Sequence, residues 1–314
     1  MFPTLAGTPP LASLRVSGRS RLARRRLSAS DRARGAAFMV LSGLGFSVMS
    51  LCVKLASVEL PTMEIVFARS LFMAAVTLAL ARRLALPVWG HNRRILLARG
   101  LTGATALSLL YVGLGRLPLG DAVTIHYTAP VWTALSAAVL LGERLRPGIV
   151  AGAAVSLVGV ALVAQPSFLF GAAEPLDATG VAAVVCGAVL SGLAYTFVRQ
   201  LRSTDHAYTI IFYLSVVGLA GSLPFALGGW AWPSPQGWAL LLGIGVATQV
   251  GQIFLTKGLH LLEAARATAI GYVQIVFAFG WGVAVFGDAP GLLALGGALL
   301  IVGSTALVAA GRAG

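Results

Sequence analysis

Charge is what this chain has least of. Only 11% of its 314 residues are Asp, Glu, Lys or Arg, against roughly a quarter in soluble domains, which excludes a soluble globular fold. Acids are the scarcer sign, ten against 23 basic residues. The only cysteines, Cys52 and Cys186, both lie in apolar runs. That excludes a disulfide framework or a CxxC site and leaves the redox compartment unread. Reactive motifs are missing as well: there is no HExxH, no GxSxG and no GxxxxGK[ST]. No zinc, nucleophile-elbow or phosphate-loop enzyme is therefore indicated, and no catalytic set, metal or cofactor is expected. The 38 glycines and 14 prolines follow no G-X-Y period, which excludes collagen, and their setting in apolar runs excludes disorder.

What the chain does have is apolar sequence, 58% hydrophobic with a mean hydropathy of +0.88, and an excess of arginine. The net charge of +13 resembles a nucleic-acid signature until it is mapped. Residues 1–34 hold Arg15, Arg19, Arg21, Arg24, Arg25, Arg26, Arg32 and Arg34 against the single acid Asp31. This stretch is read as a disordered basic tail facing lipid headgroups, and no nucleic-acid partner is expected.

A membrane helix takes about 20 predominantly apolar residues, and residues 35–310 divide into ten such runs: 35–57, 63–81, 95–115, 119–141, 147–165, 179–200, 208–228, 237–259, 264–286 and 290–310. The first lacks a small-residue cleavage site and is read as a retained helix. Arginine and lysine collect at alternate ends, in the tail, at Arg82, Arg83, Arg93 and Arg94, at Arg144 and Arg146, at Arg199 and Arg202, and at Lys257 and Arg266. The opposite side carries Lys54 and Arg116, with Trp230 and Trp232 suited to its interface. The positive-inside rule then places both termini in the cytoplasm.

Laid on itself with a shift of 145 residues, the sequence repeats. Gly35 meets Gly180, Lys54 meets Arg199 and Gly100 meets Gly245. Residues 113–142 share eight identities in thirty positions with 258–287: Gly113, Leu114, Leu117, Ala122, Ile125, Tyr127, Val131 and Gly142. Chance in this composition gives about one in ten. Glu143 and Asp288 follow as acid on acid. Each copy, 35–165 and 178–310, holds five spans, an odd number, so the second enters the membrane from the opposite face. The expected fold is an all-α integral membrane protein of ten transmembrane helices in two inverted five-helix repeats, a design that suits alternating access around a midplane site.

The run Leu117-Pro118-Leu119-Gly120-Asp121-Ala122, then Pro130, then Leu140-Leu141-Gly142-Glu143-Arg144, resembles the drug/metabolite transporter superfamily in its ten-helix EamA-type branch, over residues 35–310. The second copy has Gly287-Asp288 where that pattern reads Gly-Glu, and Ile275 in place of Pro130. The resemblance implies a carrier of small organic metabolites in a bacterial inner membrane, commonly an exporter and commonly proton-coupled. The competing classes are an integral membrane enzyme acting on lipid-linked substrates and a metabolite channel.

Ionisable groups within spans cost a few kcal/mol on insertion scales, so each needs a reason. Arg69, central in span 2, suits an anionic substrate group or a structural strut. Glu64, roughly 140° around the helix from it, is read as a solvated vestibule residue, and Arg99 as snorkelling to headgroups. His126, one turn before Pro130, is the candidate for proton coupling and substrate contact, because imidazole titrates near neutrality. Gln249, Gln252 and Thr256 recur at i, i+3 and i+7 and share one face. Tyr127 and Tyr272 are repeat mates, and Tyr195 precedes Thr196 in span 6. Aromatic rings with amides suit a planar or amphipathic organic solute, though such groups also join helices. The expected substrate-binding set is Arg69, His126, Tyr127, Tyr195, Gln249, Gln252 and Tyr272. Gly148 and Gly152 form a GxxxG for close packing, within one chain or between two, leaving monomer and homodimer open; the other partners expected are the solute and membrane lipids.

Overall fold

The structure, a computed structural model, describes residues 29–114, 116–117, 119–171, 176–287 and 291–310. All regular structure among them is helical: α1 (Ala29–Ala56), α2 (Thr62–Arg83), α3 (Arg93–Leu114), α4 (Leu119–His126), α5 (Ala129–Leu141), α6 (Pro147–Ala164), a short α7 (Ser167–Phe170), α8 (Ala178–Leu201), α9 (Ala207–Leu227), α10 (Pro235–Leu261), α11 (Ala264–Gly271), α12 (Val273–Phe286) and α13 (Leu292–Ala309). Among the described residues ten helical stretches are long and apolar enough to cross a membrane, with α4–α5 and α11–α12 each making one span. Large apolar side chains such as Val139, Leu292 and Leu299 point outward at 83%, 88% and 73% exposure. That arrangement is stable only with lipid outside.

The ten spans match the expected runs to within six residues. The largest difference is at the start, where α1 begins at Ala29 rather than residue 35. Asp31 lies in its first turn, where a negative charge offsets the helix dipole. Arg32 and Arg34 therefore belong to a helix and not to a disordered tail; residues 1–28 lie outside the described residues. Below, the face at which α1 starts is called the near face, and the other the far face.

The 145-residue register reappears as contacts between the halves. A Cβ on Gly35 would meet Leu262, and one on its mate Gly180 would meet Leu117, the mate of Leu262. Gly258 faces Met39 as Gly113 faces Val184, and Gly245 faces Phe72 as Gly100 faces Val217. Each pair maps onto the other by the same shift. So α1 packs on α10 as α8 packs on α3, and each membrane-spanning helix finds its closest neighbour in the opposite repeat. Both Gly142 and Gly287 end their helices in the left-handed region, at φ 64° and 71°.

Polar ties obey the same symmetry. At the far face Glu64 accepts from the backbone N–H of Ala231 at 2.9 Å. Its mate Thr209 donates to the carbonyl of Pro87 at 3.0 Å on the near face. Glu59 accepts from the N–H and hydroxyl of Ser234, the N-cap of α10, and Asp205 accepts from the N–H groups of His91, at 2.6 Å, and Asn92, at 3.2 Å, ahead of α3. The inverted repeat thus builds one clamp twice, a carboxylate holding a helix start.

Between α5 and α8 the seam is backbone on backbone. A Cβ on Gly192 would lie 2.7 Å from Thr133 N and Trp132 C, beside the hydroxyls of Ser136 and Thr196, 2.7 Å apart. We expect Gly192→Ala to cost about 1–3 kcal/mol by forcing the helices apart, read as a lower melting temperature of the detergent-purified protein. An unchanged melting temperature would mean that the seam yields freely.

Candidate functional site

Spans 4 and 9 are interrupted at matching places. α4 ends at His126 and α5 starts at Ala129; α11 ends at Gly271 and α12 starts at Val273. In the first, Pro130 has no N–H to give, and the Val131 N–H is diverted to the carbonyl of Thr128 at 2.9 Å. The Tyr127 carbonyl is left open and accepts the Tyr272 hydroxyl at 2.8 Å. In the second, no proline is present, yet the break occurs: Gly271 precedes it, a poor helix residue, and Ile275 N–H tightens onto Tyr272 at 3.0 Å. Ile275 in place of Pro130 has not removed the interruption.

The repeat mates Tyr127 and Tyr272 stack on each other, centroids 5.9 Å apart at 28°. They meet deep in the bundle, six residues inside the far end of one span and eight inside the near end of the other, about 9 and 12 Å by the helical rise. His126 stands edge-on to Tyr127 at 6.2 Å, its Nδ1 buried without a hydrogen-bond partner. The α3–α8 packing, in which Gly113 meets Val184 and Gly187 meets Ala106, sets Tyr195 level with Arg99, and the contact of Gly192 with Trp132 and Thr133 brings the same turn of α8 beside the break in span 4. These five side chains, from spans 3, 4, 6 and 9, form one polar cluster within the membrane.

Four of the seven expected site residues, His126, Tyr127, Tyr195 and Tyr272, are brought together here. Gln249 is not among them: its amide donates to Thr77 of α2 at 3.0 Å, tying α10 to α2. Gln252 and Arg69 make no ring contact or hydrogen bond to the cluster among the described residues, although Gln252 Oε1 and Arg69 Nε are buried and unpartnered. Thr256 Oγ1 is in the same condition.

Two readings are corrected. Arg99 does not snorkel; at 3% exposure it is buried, because the side chain lies forward over Gly103, where a Cβ would collide with Nη1. The glycine four residues on, one turn away on the same face, was the sequence signal for this. Glu64 is not a solvated vestibule group but 1% exposed, drawn in by the Ala231 N–H.

At the near face the family-like Glu143 is fully engaged. One oxygen accepts from Arg199 Nε at 2.8 Å, the other from the Ala264 N–H that opens α11 at 2.9 Å. Arg199 donates further to the carbonyls of Leu259 and His260 at 3.1 and 3.0 Å. Its repeat mate Lys54 instead sits 3.8 Å over the Phe286 ring; the mate of Glu143, Asp288, lies outside the described residues. Two apolar grooves on the outer surface, one lined by Trp132, Leu135 and Val189 and the other by Gly152, Leu299 and Gly303, contain no cluster residue. Gly152 packs against Val308 of the same chain, so this glycine serves α6–α13 packing.

Ten spans in two intertwined five-helix repeats, with polar groups gathered where two broken helices cross, define a membrane carrier rather than an enzyme. The model of the EamA-like transporter family matches residues 33–165 and again 178–310, and the chain belongs to that family. It is 31% identical over 269 residues to the pseudopaline exporter CntI of Pseudomonas aeruginosa, covering 85% of this chain and 93% of that one. It is 30% identical over 282 residues to human solute carrier family 35 member G1, covering 86% and 77%, and 29% identical over 283 residues to a riboflavin transporter of Rhizobium johnstonii, covering 86% and 89%. A solved crystal structure superposes with a TM-score of 0.77 at 19% identity over 89% of this chain and 97% of that chain, a shared fold.

Proposed function

We propose that this protein is a secondary carrier that moves a small organic metabolite across a bacterial inner membrane by alternating access, as an exporter or proton-coupled exchanger. The observation that carries the reading is the crossing of the two interrupted helices at Tyr127 and Tyr272. A pair of breaks related by the inverted repeat supplies two equivalent hinges, so that one packing and its mirror are close in energy. Unwound backbone at that depth is tolerated where it lines a polar cavity or is buried in protein, and His126, Tyr195 and Arg99 supply the polar wall. The exporter named among its relatives supports the outward direction. The near face is the cytoplasmic one in this reading, with residues 1–34 as a basic cytoplasmic segment ahead of two units, 35–165 and 178–310.

Counterflow tests the function. Proteoliposomes loaded with a mixture of organic metabolites should accumulate a labelled member of it only when the protein is present, and Tyr272→Ala should abolish that accumulation. Equal accumulation by the variant removes the crossing from the mechanism. For orientation, reporter fusions after Phe170 and Pro235 should both show the periplasmic side. A cytoplasmic signal at either position breaks the ten-span assignment.

A further inference from the structure

Building on the carrier reading, we propose that the transported solute is an organic anion whose acidic group is held by Arg99 beside Tyr195. The argument begins with how the intramembrane charges are disposed. Of the acids within spans, Asp121 accepts from the Ser167 hydroxyl and the Phe168 N–H, and Glu64 is tied by one oxygen to Ala231 as half of the symmetric far-face clamp. Glu143, at the near-face end of span 4, spends both oxygens on Arg199 and Ala264. Arg199 is ion-paired with Glu143 and donates to two carbonyls as well. Arg69 in span 2 and Arg266 at the near-face end of span 9 also have buried nitrogens without partners, but neither makes a hydrogen bond or ring contact to the cluster among the described residues. Arg99 combines the three properties the site needs: it is buried with an unpartnered Nε, no salt bridge is formed to it among the described residues, and it stands within the cluster.

An unneutralised guanidinium within a membrane protein is among the costliest groups to retain, and the chain retains it by leaving out a side chain at Gly103. The five donors of arginine match the geometry of carboxylate and phosphate. Tyr195 adds a hydroxyl donor at the same place, and the Tyr127–Tyr272 stack provides a flat apolar wall alongside. A cationic solute would meet Arg99 with no neighbouring acid to offset the repulsion. A neutral solute would leave the charge uncompensated.

Carboxylate and phosphate share this chemistry, and a melting experiment on the full-length purified protein separates them. The probes are benzoate and succinate, glycerol 3-phosphate, and the neutral and cationic counterparts benzamide and benzylamine. Expected is a rise in melting temperature with the carboxylates or with the phosphate ester, whichever class wins naming the group, and none with benzamide or benzylamine. Arg99→Gln should weaken that response by about 10- to 100-fold in half-saturating concentration, the worth of a charged hydrogen bond, while Arg99→Lys keeps part of it. Gly103→Ala leaves Arg99 in the sequence but displaces its guanidinium, and should weaken the response in the same direction. Anions that raise the melting temperature no more than benzamide or benzylamine overturn the proposal, as does an undiminished response in both Arg99→Gln and Gly103→Ala. Counterflow of any solute class keeps the carrier reading intact in that event. Anion binding without counterflow would instead overturn the carrier reading and leave the charge assignment standing.

Discussion

Arg199→Met should be the most destabilising single change in the near half of the bundle, by about 3–5 kcal/mol, the usual cost of removing one partner of a buried ion pair. Arg199 and Glu143 side chains are only 6% and 18% exposed, so water does little to solvate the carboxylate once the guanidinium is gone. The substitution also strips donors from the carbonyls of Leu259 and His260 at the end of α10. Four spans lose their shared fastening at once, since the pair joins the ends of α5, α8 and α10 to the start of α11. Arg199→Lys keeps the charge but not the fork that serves Nε and Nη1 separately, and should recover only part of the loss. The measurement is the melting temperature in detergent. Pairing Arg199→Met with Glu143→Leu should restore much of the loss, because the unpaired charge is then removed too. If the double variant is as unstable as the single one, the cost lies in the backbone groups left without partners, the carbonyls of Leu259 and His260 and the N–H of Ala264, and not in the unpaired carboxylate.

The architecture is largely legible in the sequence because membrane insertion writes itself in long runs and repeats. Spans could be read from hydropathy since every backbone polar group must be satisfied within its own helix. The shift of 145 residues was visible in glycines, and the reason is now physical. Gly35, Gly113, Gly180 and Gly258 recur because at each one a residue of the other repeat occupies the space of a Cβ. The site was harder. Tyr127 and Tyr272 were readable as mates, but their stacking required knowing that both spans break, and only one carries a proline. Arg99 was misplaced because its distance from the helix end suggested lipid headgroups, whereas what directs it is a missing side chain one turn further on. Glu64 was misplaced because its partner is a backbone N–H 167 residues away, and backbone donors have no sequence signature. Gln249 shows the opposite limit: a correct inward face does not say whether a group meets solute or, as here, Thr77.

His126→Gln should flatten the pH dependence of exchange while leaving the protein's abundance and melting temperature nearly unchanged. The imidazole stands at the last turn of α4, against the break, with Nδ1 buried and no hydrogen bond drawn from it. A group used as structural glue would have its donors and acceptors matched, as Gln249 and Thr77 do. An imidazole with one idle nitrogen is positioned to take up and release a proton when the crossing re-packs and water reaches it. Glutamine fills similar space and hydrogen-bonds but does not titrate, so it separates proton transfer from packing. Wild-type exchange in proteoliposomes should change by about tenfold between acidic and neutral pH if one titrating group controls it over roughly one pH unit, and the variant's rate should be nearly level. His206 is the natural control. It caps α9 at the near face outside the spans, accepting from the Tyr208 N–H, and burial together with Lys257 lowers its pKa from the usual histidine value. A shift in that direction moves its titration away from neutrality toward acid, so His206→Gln should leave the neutral limb of the profile in place. A His126→Gln profile superimposable on wild type would assign proton coupling elsewhere, and a profile flattened by His206→Gln instead would assign it to the rim.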